Sequence, residues 1–316
     1  PLTQHESPTM GKYVYGPVPS RRLGRSLGVD LVPLKTCNYD CIYCQLGPTR
    51  QTTLTRADYS PVDEVLAEVE ARLAEVSAPD WITLGGSGEP TLHASFGRLA
   101  ERIRAMTDVP ICLLTNGGLL SDPEVRADCA ALDMVAPNLD AGDEATFQRI
   151  NRPHPGVTLE GVVAGLEALR RGFAGQIWLE VFLAAGINSS DADIERLKAL
   201  IDRIRPDRVQ LNTAVRPPAE AFVRPVLPQR LEAIRAMLGE CAEVIADVDA
   251  LRQAPAAAAT EQEVLAMLRR RPCTVADIAT GLAIGRDEAI EFVRVLLEAG
   301  HIAEQRQGER VFYHAP

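Results

Sequence analysis

Leu27-Gly-Val-Asp-Leu-Val-Pro-Leu-Lys-Thr-Cys37-Asn-Tyr-Asp-Cys41-Ile-Tyr-Cys44 joins a short apolar run to three cysteines spaced C-x3-C-x2-C. The run Leu27–Pro33 has β character, and the loop behind it gathers three thiols within eight residues. Such spacing lets one short segment wrap three corners of a compact metal centre. A 4Fe–4S cluster normally takes four thiolates, so three leave one iron open to a ligand from outside the chain. Zinc is the competing reading, but a structural zinc site wants four ligands, with a second pair at similar spacing. His5 and His93 are the histidines on either side, and neither makes such a pair.

Outward from this loop, short apolar runs alternate with helix-type spacing. The runs are Leu27–Pro33, Trp81–Gly86, Pro110–Gly117, Met134–Ala141, Ile177–Ala184 and Arg208–Val215. Helical periodicity fills Pro61–Val76, Ser95–Met106, Asp122–Leu132, Leu159–Phe173, Asp191–Ile204 and Leu227–Leu238. Ser121-Asp122-Pro123 and Ser190-Asp191 supply caps. Six strands separated by helices imply an α/β fold with a parallel sheet and right-handed crossovers.

This pattern occupies residues 13–250, behind a polar tail at 1–12. Residues 251–260 are low in complexity and read as a linker. Residues 261–316 give helices at Glu261–Arg271, Thr274–Leu282 and Arg286–Ala299. A hairpin of His301–Glu304 and Arg310–His314 follows, turning at Gln307-Gly308. Three helices and a wing resemble a small winged helix-turn-helix domain.

Side chains alternate faces along a strand. Ile177, Leu179, Val181 and Leu183 share one face, suited to packing under helices, while Trp178, Glu180 and Phe182 share the other. The same division puts Asp30, Thr83, Asn116, Asn138, Asp140, Glu180, Gln210 and Asn212 on an inner, polar face. Buried unpaired, such groups cost roughly 2–7 kcal/mol each, so they need water, one another or a ligand. The expectation is an inner cavity rather than a filled core.

The second apolar run ends in Gly85-Gly86-Ser87-Gly88-Glu89-Pro90. It is no dinucleotide fingerprint, since Thr91 stands where the third glycine belongs. Nor is it a serine-nucleophile elbow, since Glu89 replaces that motif's second glycine. C-x3-C-x2-C after the first strand with Gly-Gly-x-Gly-Glu-Pro after the second resembles the radical S-adenosylmethionine (SAM) superfamily. Tyr15-Gly-Pro-Val-Pro-Ser ahead of the first strand, Asn138-Leu-Asp and Asn151-Arg-Pro resemble its iron–sulfur oxidoreductases related to wyosine-tRNA biosynthesis enzymes.

The resemblance implies a partial (β/α)6 barrel holding a 4Fe–4S cluster and SAM. SAM chelates the open iron, and its reductive cleavage gives a 5′-deoxyadenosyl radical that takes hydrogen from substrate. It implies Cys37, Cys41 and Cys44 as the catalytic iron ligands, Tyr43 beside the adenine, and Gly85, Gly86, Ser87, Gly88, Glu89 and Pro90 around the amino group. Thr115, Asn116, Asn138 and Asp140 are candidates for the carboxylate and ribose, and Glu180, Asn188 and Asn212 follow as further cofactor contacts. Asn188 reads equally well as part of a turn before a helix. Asp30, Arg22, Arg152 and Gln210 are candidate substrate contacts; Arg21, Arg22 and Arg25 fit either an anion grip or an exposed lip.

Composition sets the outer limits. A 46% hydrophobic and 24% charged chain is globular rather than disordered. No run approaches the ~20 apolar residues of a membrane span, and the polar start lacks an apolar signal core. Seven cysteines without an export signal point to reduced thiols and a cytoplasmic setting. Cys112, Cys129, Cys241 and Cys273 read as buried structural thiols.

A net charge of −10 weighs against non-specific nucleic-acid binding. Residues 261–316 carry seven arginines against nine acidic residues, which opposes DNA binding by the C-terminal module. The implied partners are a low-potential electron donor of flavodoxin or ferredoxin type and a substrate that is peptide, protein, RNA or metabolite. The alternatives are a tRNA-modifying enzyme of the same superfamily, or an iron–sulfur-sensing transcription regulator that reads DNA with its winged helix.

Overall fold

A computed structural model describes residues 11–20, 22–214, 218–245, 261–282, 284, 286–308 and 310–315. The 251–260 linker and Arg21 lie outside the described residues. Eight strands make one sheet in chain order: β1 (Val14–Ser20), β2 (Gly24–Val29), β3 (Trp81–Leu84), β4 (Ile111–Thr115), β5 (Met134–Pro137), β6 (Gln176–Leu183), β7 (Arg208–Thr213) and β8 (Ala242–Val244). All neighbours pair in parallel except β1 and β2. Between them run helices α1 (Val62–Glu75), α2 (Phe96–Arg104), α3 (Pro123–Asp128), α4 (Glu144–Ile150), α5 (Leu159–Gly172), α6 (Asp191–Ile204) and α7 (Pro228–Leu238).

The capping chemistry is local. The Asp122 carboxylate accepts from Glu124 N with Pro123 at the first helical position, and Ser190 forms a capping box with Asp193. Each arrangement satisfies main-chain donors that a helix start leaves unpaired.

The sheet has two more strands than the apolar runs suggest. In β1 the prolines and glycine of Val14–Ser20 disguise an edge strand, where a missing N–H is tolerated. β8 is only three residues long. The first parallel strand ends at Val29 rather than Pro33, because the Asp30 side chain turns to Ser87 and the chain leaves the sheet. Helix α4 is also unanticipated: Asp143 caps it through Thr146 N, and only Phe147 and Ile150 face the core.

The alternation of faces holds along β6. Ile177, Leu179, Val181 and Leu183 are fully buried in the core shared with the helices. The inner face, however, is divided along its height. Its lower part is an apolar plug of Leu23, Cys112, Met134, Ala136 and Trp178, with Trp81 and Leu114 packed against it. The two tryptophan rings sit 6.3 Å apart, and Arg208 lies over Trp178 at 4.5 Å. Polar groups gather mainly toward the strand C-termini, although buried Ser26 and Thr83 bond to each other at the level of the plug. The expected inner cavity is therefore filled at its base, because Leu23 from the β1–β2 turn tucks beneath the sheet.

Beyond the sheet come α8 (Glu261–Arg270), α9 (Val275–Gly281) and α10 (Arg286–Glu298), then an antiparallel pair β9 (Ala303–Gln307) and β10 (Arg310–His314). Val264, Leu268, Ile278, Val293 and Ile302 share a core of their own there.

Candidate functional site

The cysteine loop is clipped along both sides by main-chain hydrogen bonds. On one side Lys35 N donates to Ser87 O at 2.7 Å and Glu89 N donates to Thr36 O at 3.0 Å, so the loop and Gly85–Pro90 run edge to edge. On the other, Ile42 N reaches Ile150 O at 3.0 Å, Asp40 N reaches Arg152 O at 3.1 Å and His154 N reaches Asn38 O at 2.8 Å. Tyr39 and Ile42, between the cysteines, are buried anchors, and Tyr39 meets Phe147 edge-on at 5.6 Å. Anchored inward by these two, the loop keeps its thiols half-buried on the other side.

Each thiol has nitrogen donors about it. Cys37 Sγ is 3.6 Å from Asn116 Nδ2 and 3.5 Å from Tyr39 N. Cys41 Sγ is 3.6 Å from Asn151 Nδ2, and Cys44 Sγ is 3.1 Å from Lys35 Nζ. Burial, with the Glu89 charge adding to it, pushes the Cys37 thiol up to about 12. Burial and then Cys37 raise Cys41 well above its ordinary value. Cys37 and Cys41 thus keep their protons at neutral pH, and metal binding would displace them.

This donor set suits a polynuclear centre. Three half-buried free thiols lie on one loop, each with a nitrogen donor to offset thiolate charge. Cys37, Cys41 and Cys44 would hold such a centre.

Glu89 is buried and committed to protein. Its Oε1 accepts from Thr91 N at 3.1 Å and from Thr91 and Thr115 Oγ1 at 2.6 Å each; Oε2 accepts from Asn116 N at 2.8 Å. Burial raises its pKa despite these bonds. Thr115 and Glu89 therefore tie the glycine loop to the end of β4 and leave the backbone of Gly86 and Gly88 to meet a ligand, while Gly85 N and O bond to Val29 O and Tyr15 Oη. Gly88 is required by close approach: a Cβ there would strike Thr36 O and Val32. Pro90 opens a single 3-10 turn capped by Glu89.

Asp140 lies just past β5, buried, with four neighbours rather than a free edge. It accepts from Tyr43 Oη at 2.5 Å, Asn151 Nδ2 at 2.6 Å and Phe182 N at 2.8 Å, while its carbonyl accepts from Asn188 Nδ2 at 2.7 Å. Burial outweighs these bonds and pushes its pKa up to about 6. Tyr43 stacks on Phe182 with ring centroids 3.8 Å apart. Asn188 closes a turn through Ala184 N and Phe182 O, Ser190 caps the helix, and the bond to Asp140 O ties that turn to the end of β5.

Asn116 and Asn138 stand at the ends of adjoining strands. Asn116 also donates to Asn38 Oδ1 at 2.5 Å, whereas half-buried Asn138 has no side-chain hydrogen bond among the described residues. Deeper in, Glu180 bridges Arg22 at 2.5 Å and Asn212 at 2.7 Å. Gln210 donates to Glu243 at 2.9 Å, while its buried Oε1 has no partner among the described residues. Arg152 is paired with Glu220 at 2.6 Å and Asp40 at 3.4 Å. Asp30 is likewise engaged, by Ser87 N, Ser87 Oγ and Arg270.

Sequence spacing did not single out Lys35, Asn38, Asn116's bond to Cys37, or Asn151 as a thiol partner. Asn151 carries a signal in the Asn151-Arg-Pro stretch, beside Arg152. Of the other cysteines, Cys112, Cys129 and Cys273 are buried as expected, but Cys241 is exposed, since it stands on the turn before β8 rather than on the strand.

A sequence profile of the radical SAM superfamily matches residues 31–212. The protein called GTPase Obg in Brachyspira hyodysenteriae is 36% identical over 312 residues, covering 96% of this chain, and the chain spans only 46% of that protein's length. A UPF0026 protein of Methanocaldococcus jannaschii is 34% identical over 233 residues, 73% of this chain and 71% of its own. A solved radical SAM methyltransferase from Sphaerobacter thermophilus has a TM-score of 0.50 at 20% identity, covering 69% of this chain and 65% of that one, a likeness of fold.

Proposed function

The chain belongs to the radical SAM superfamily, in company with the UPF0026 proteins, and from that premise we propose a radical SAM enzyme that takes a hydrogen atom from its substrate. Members of the superfamily are enzymes that use a 4Fe–4S cluster and SAM. When bound, these supply reductive cleavage of the sulfonium and a 5′-deoxyadenosyl radical.

The chain's residues hold, orient and exclude. Cys37, Cys41 and Cys44 ligate iron, and Lys35, Asn116 and Asn151 offset the charge of the resulting thiolates. Tyr43, flat against Phe182 and fixed by Asp140, gives an aromatic wall for the adenine. The backbone of Gly85–Gly88 receives the amino group, and Asn138 has a free amide for the carboxylate or ribose. Gln210 Oε1, buried and without a partner among the described residues, fits a donor on the substrate. The Trp81–Trp178 plug keeps water from entering beneath.

The observation that carries this reading is three reduced thiols on one loop, each met by a nitrogen donor, beside the glycine loop. Anaerobically reconstituted protein is expected to hold about four iron and four sulfide per chain. With dithionite and SAM it releases 5′-deoxyadenosine. Release by a Cys37→Ala/Cys41→Ala/Cys44→Ala triple variant would refute the reading.

We read the C-terminal unit as a winged helix, the reduced thiols as suited to the cytoplasm, and a flavodoxin or ferredoxin as the electron donor. The order of three helices and a hairpin is what favours a second reading, an iron–sulfur regulator. Its charge opposes that role: of the two arginines on α10, Arg294 is tied to both Glu291 and Glu298. A tRNA-modifying enzyme stays within the first reading. Filter binding of duplex DNA and of tRNA across a salt series separates these, since phosphate contact gives a steep slope.

A further inference from the structure

One guanidinium joins the C-terminal unit to the glycine loop by two routes. Arg270, the last residue of α8, donates from Nη1 to Asp30 Oδ2 at 2.9 Å, with both side chains largely buried (20% and 10% exposed). Asp30 in turn accepts from Ser87 N at 3.0 Å and from Ser87 Oγ. The same guanidinium lies 3.6 Å from the centroid of the Tyr15 ring. Tyr15 Oη donates to Gly85 O at 3.0 Å, and its ring covers Gly28, where any Cβ would fall inside the ring.

Ser87 and Gly85 flank Gly86 on the loop that the preceding reading assigns to the amino group of SAM. Both are held by side chains, Asp30 and Tyr15, whose shared neighbour is Arg270. A planar guanidinium is suited to this double duty, since it pairs with carboxylate at its edge and stacks on an aromatic ring with its face. Without it, a nearly buried carboxylate loses its cation, which costs more than the pair gains by forming. Another bond between the units, Arg72 Nη2 to Glu263 Oε1 at 3.4 Å, touches no part of the loop.

We propose that Arg270 is a positioning residue for SAM: the C-terminal unit completes the cofactor site by fixing the Gly85–Ser87 backbone through Asp30 and Tyr15. This rests on the radical SAM reading for the ligand, but the loop-fixing itself does not. A substrate or partner that reseats the C-terminal unit therefore alters SAM affinity without touching SAM.

The test uses the full-length chain with Arg270→Ala, Arg270→Lys, Asp30→Asn and, as a control that loosens the units elsewhere, Glu263→Ala. In the cofactor-free protein, hydrogen exchange is followed at the Gly85 and Ser87 amides, which donate to Val29 O and Asp30 Oδ1. Exchange there is expected to quicken about tenfold in Arg270→Ala, less in Arg270→Lys, and not in Glu263→Ala. In reconstituted protein with unchanged iron content, SAM affinity, read from its effect on the electron paramagnetic resonance signal of the reduced cluster, weakens roughly fivefold to tenfold. Adding Asp30→Asn to Arg270→Ala brings little further loss, because the two act in one chain of contacts.

Unchanged exchange at Gly85 and Ser87 in Arg270→Ala overturns the proposal. So does quickened exchange spread evenly over the barrel, which marks general destabilisation. If wild-type protein shows no response to SAM, the radical SAM reading falls, and the exchange measurement still decides whether Arg270 fixes the loop.

Discussion

Asn151 stands between a thiol and a carboxylate, its side-chain amide 3.6 Å from Cys41 Sγ while it also donates to Asp140 at 2.6 Å. Hydrogen bonds to the sulfurs are among the terms that set a cluster's potential, because they stabilise the more negatively charged state. Asn151→Ala is expected to make the cluster harder to reduce, by tens of millivolts in order of magnitude. Spectroelectrochemical titration of reconstituted wild type and variant checks this, and an unchanged or less negative potential contradicts it.

The glycine loop offers a contrast in backbone tolerance. Gly88→Ala drives a methyl against Thr36 O, which is main chain and cannot swing away. A loss of about 1–3 kcal/mol is expected from such overpacking, with SAM binding lost as the loop shifts. Gly172→Ala, at the end of α5 with open space around it, should instead gain up to about 1 kcal/mol. Urea denaturation of the two variants side by side should give opposite signs.

His93 supplies a pH dependence remote from the thiols. Its Nε2 donates to Ser60 O at 2.9 Å and its Nδ1 accepts from Ser95 N at 3.2 Å, so the buried ring is used as the neutral form. Burial lowers its pKa, against the pull of the Ser60 carbonyl and Asp58. Below about pH 6.5 the unfolded chain then binds a proton that the folded chain refuses, so stability falls as pH drops through that window and is level above it. Unfolding free energies at pH 8 and pH 5.5 should differ less in His93→Gln than in wild type.

Trp178 tests the apolar plug. Its ring is nearly buried beside Trp81, and Nε1 donates to Gln176 Oε1 at 2.7 Å. Trp178→Ala should cost about 3–5 kcal/mol through the cavity it leaves. Chemical denaturation reads this directly, and a loss below about 1 kcal/mol would mean that the base of the sheet is not packed as described.

What the sequence disclosed follows the range of the forces involved. Cys37, Cys41 and Cys44, or Gly85 through Pro90, act as neighbours along the chain, so their spacing alone carries the chemistry. The faces of β6 were legible because alternation is a local rule. Asn151 meets Cys41 across 110 residues and Arg270 meets Asp30 across 240, distances over which no periodicity speaks. The inner cavity was overestimated for the same reason. Polar residues could be assigned to a face, but nothing local revealed that Leu23 folds in beneath them or that Trp81 and Trp178 share a layer. β1 was hidden because its prolines and glycine contradict strand propensity, and only its place at the edge makes them harmless.

Leu23 and its tryptophan neighbours close the lower inner face of the sheet as a cork closes a flask. A guest drawn to polar company is thereby steered toward the end of the strands where the cysteines stand.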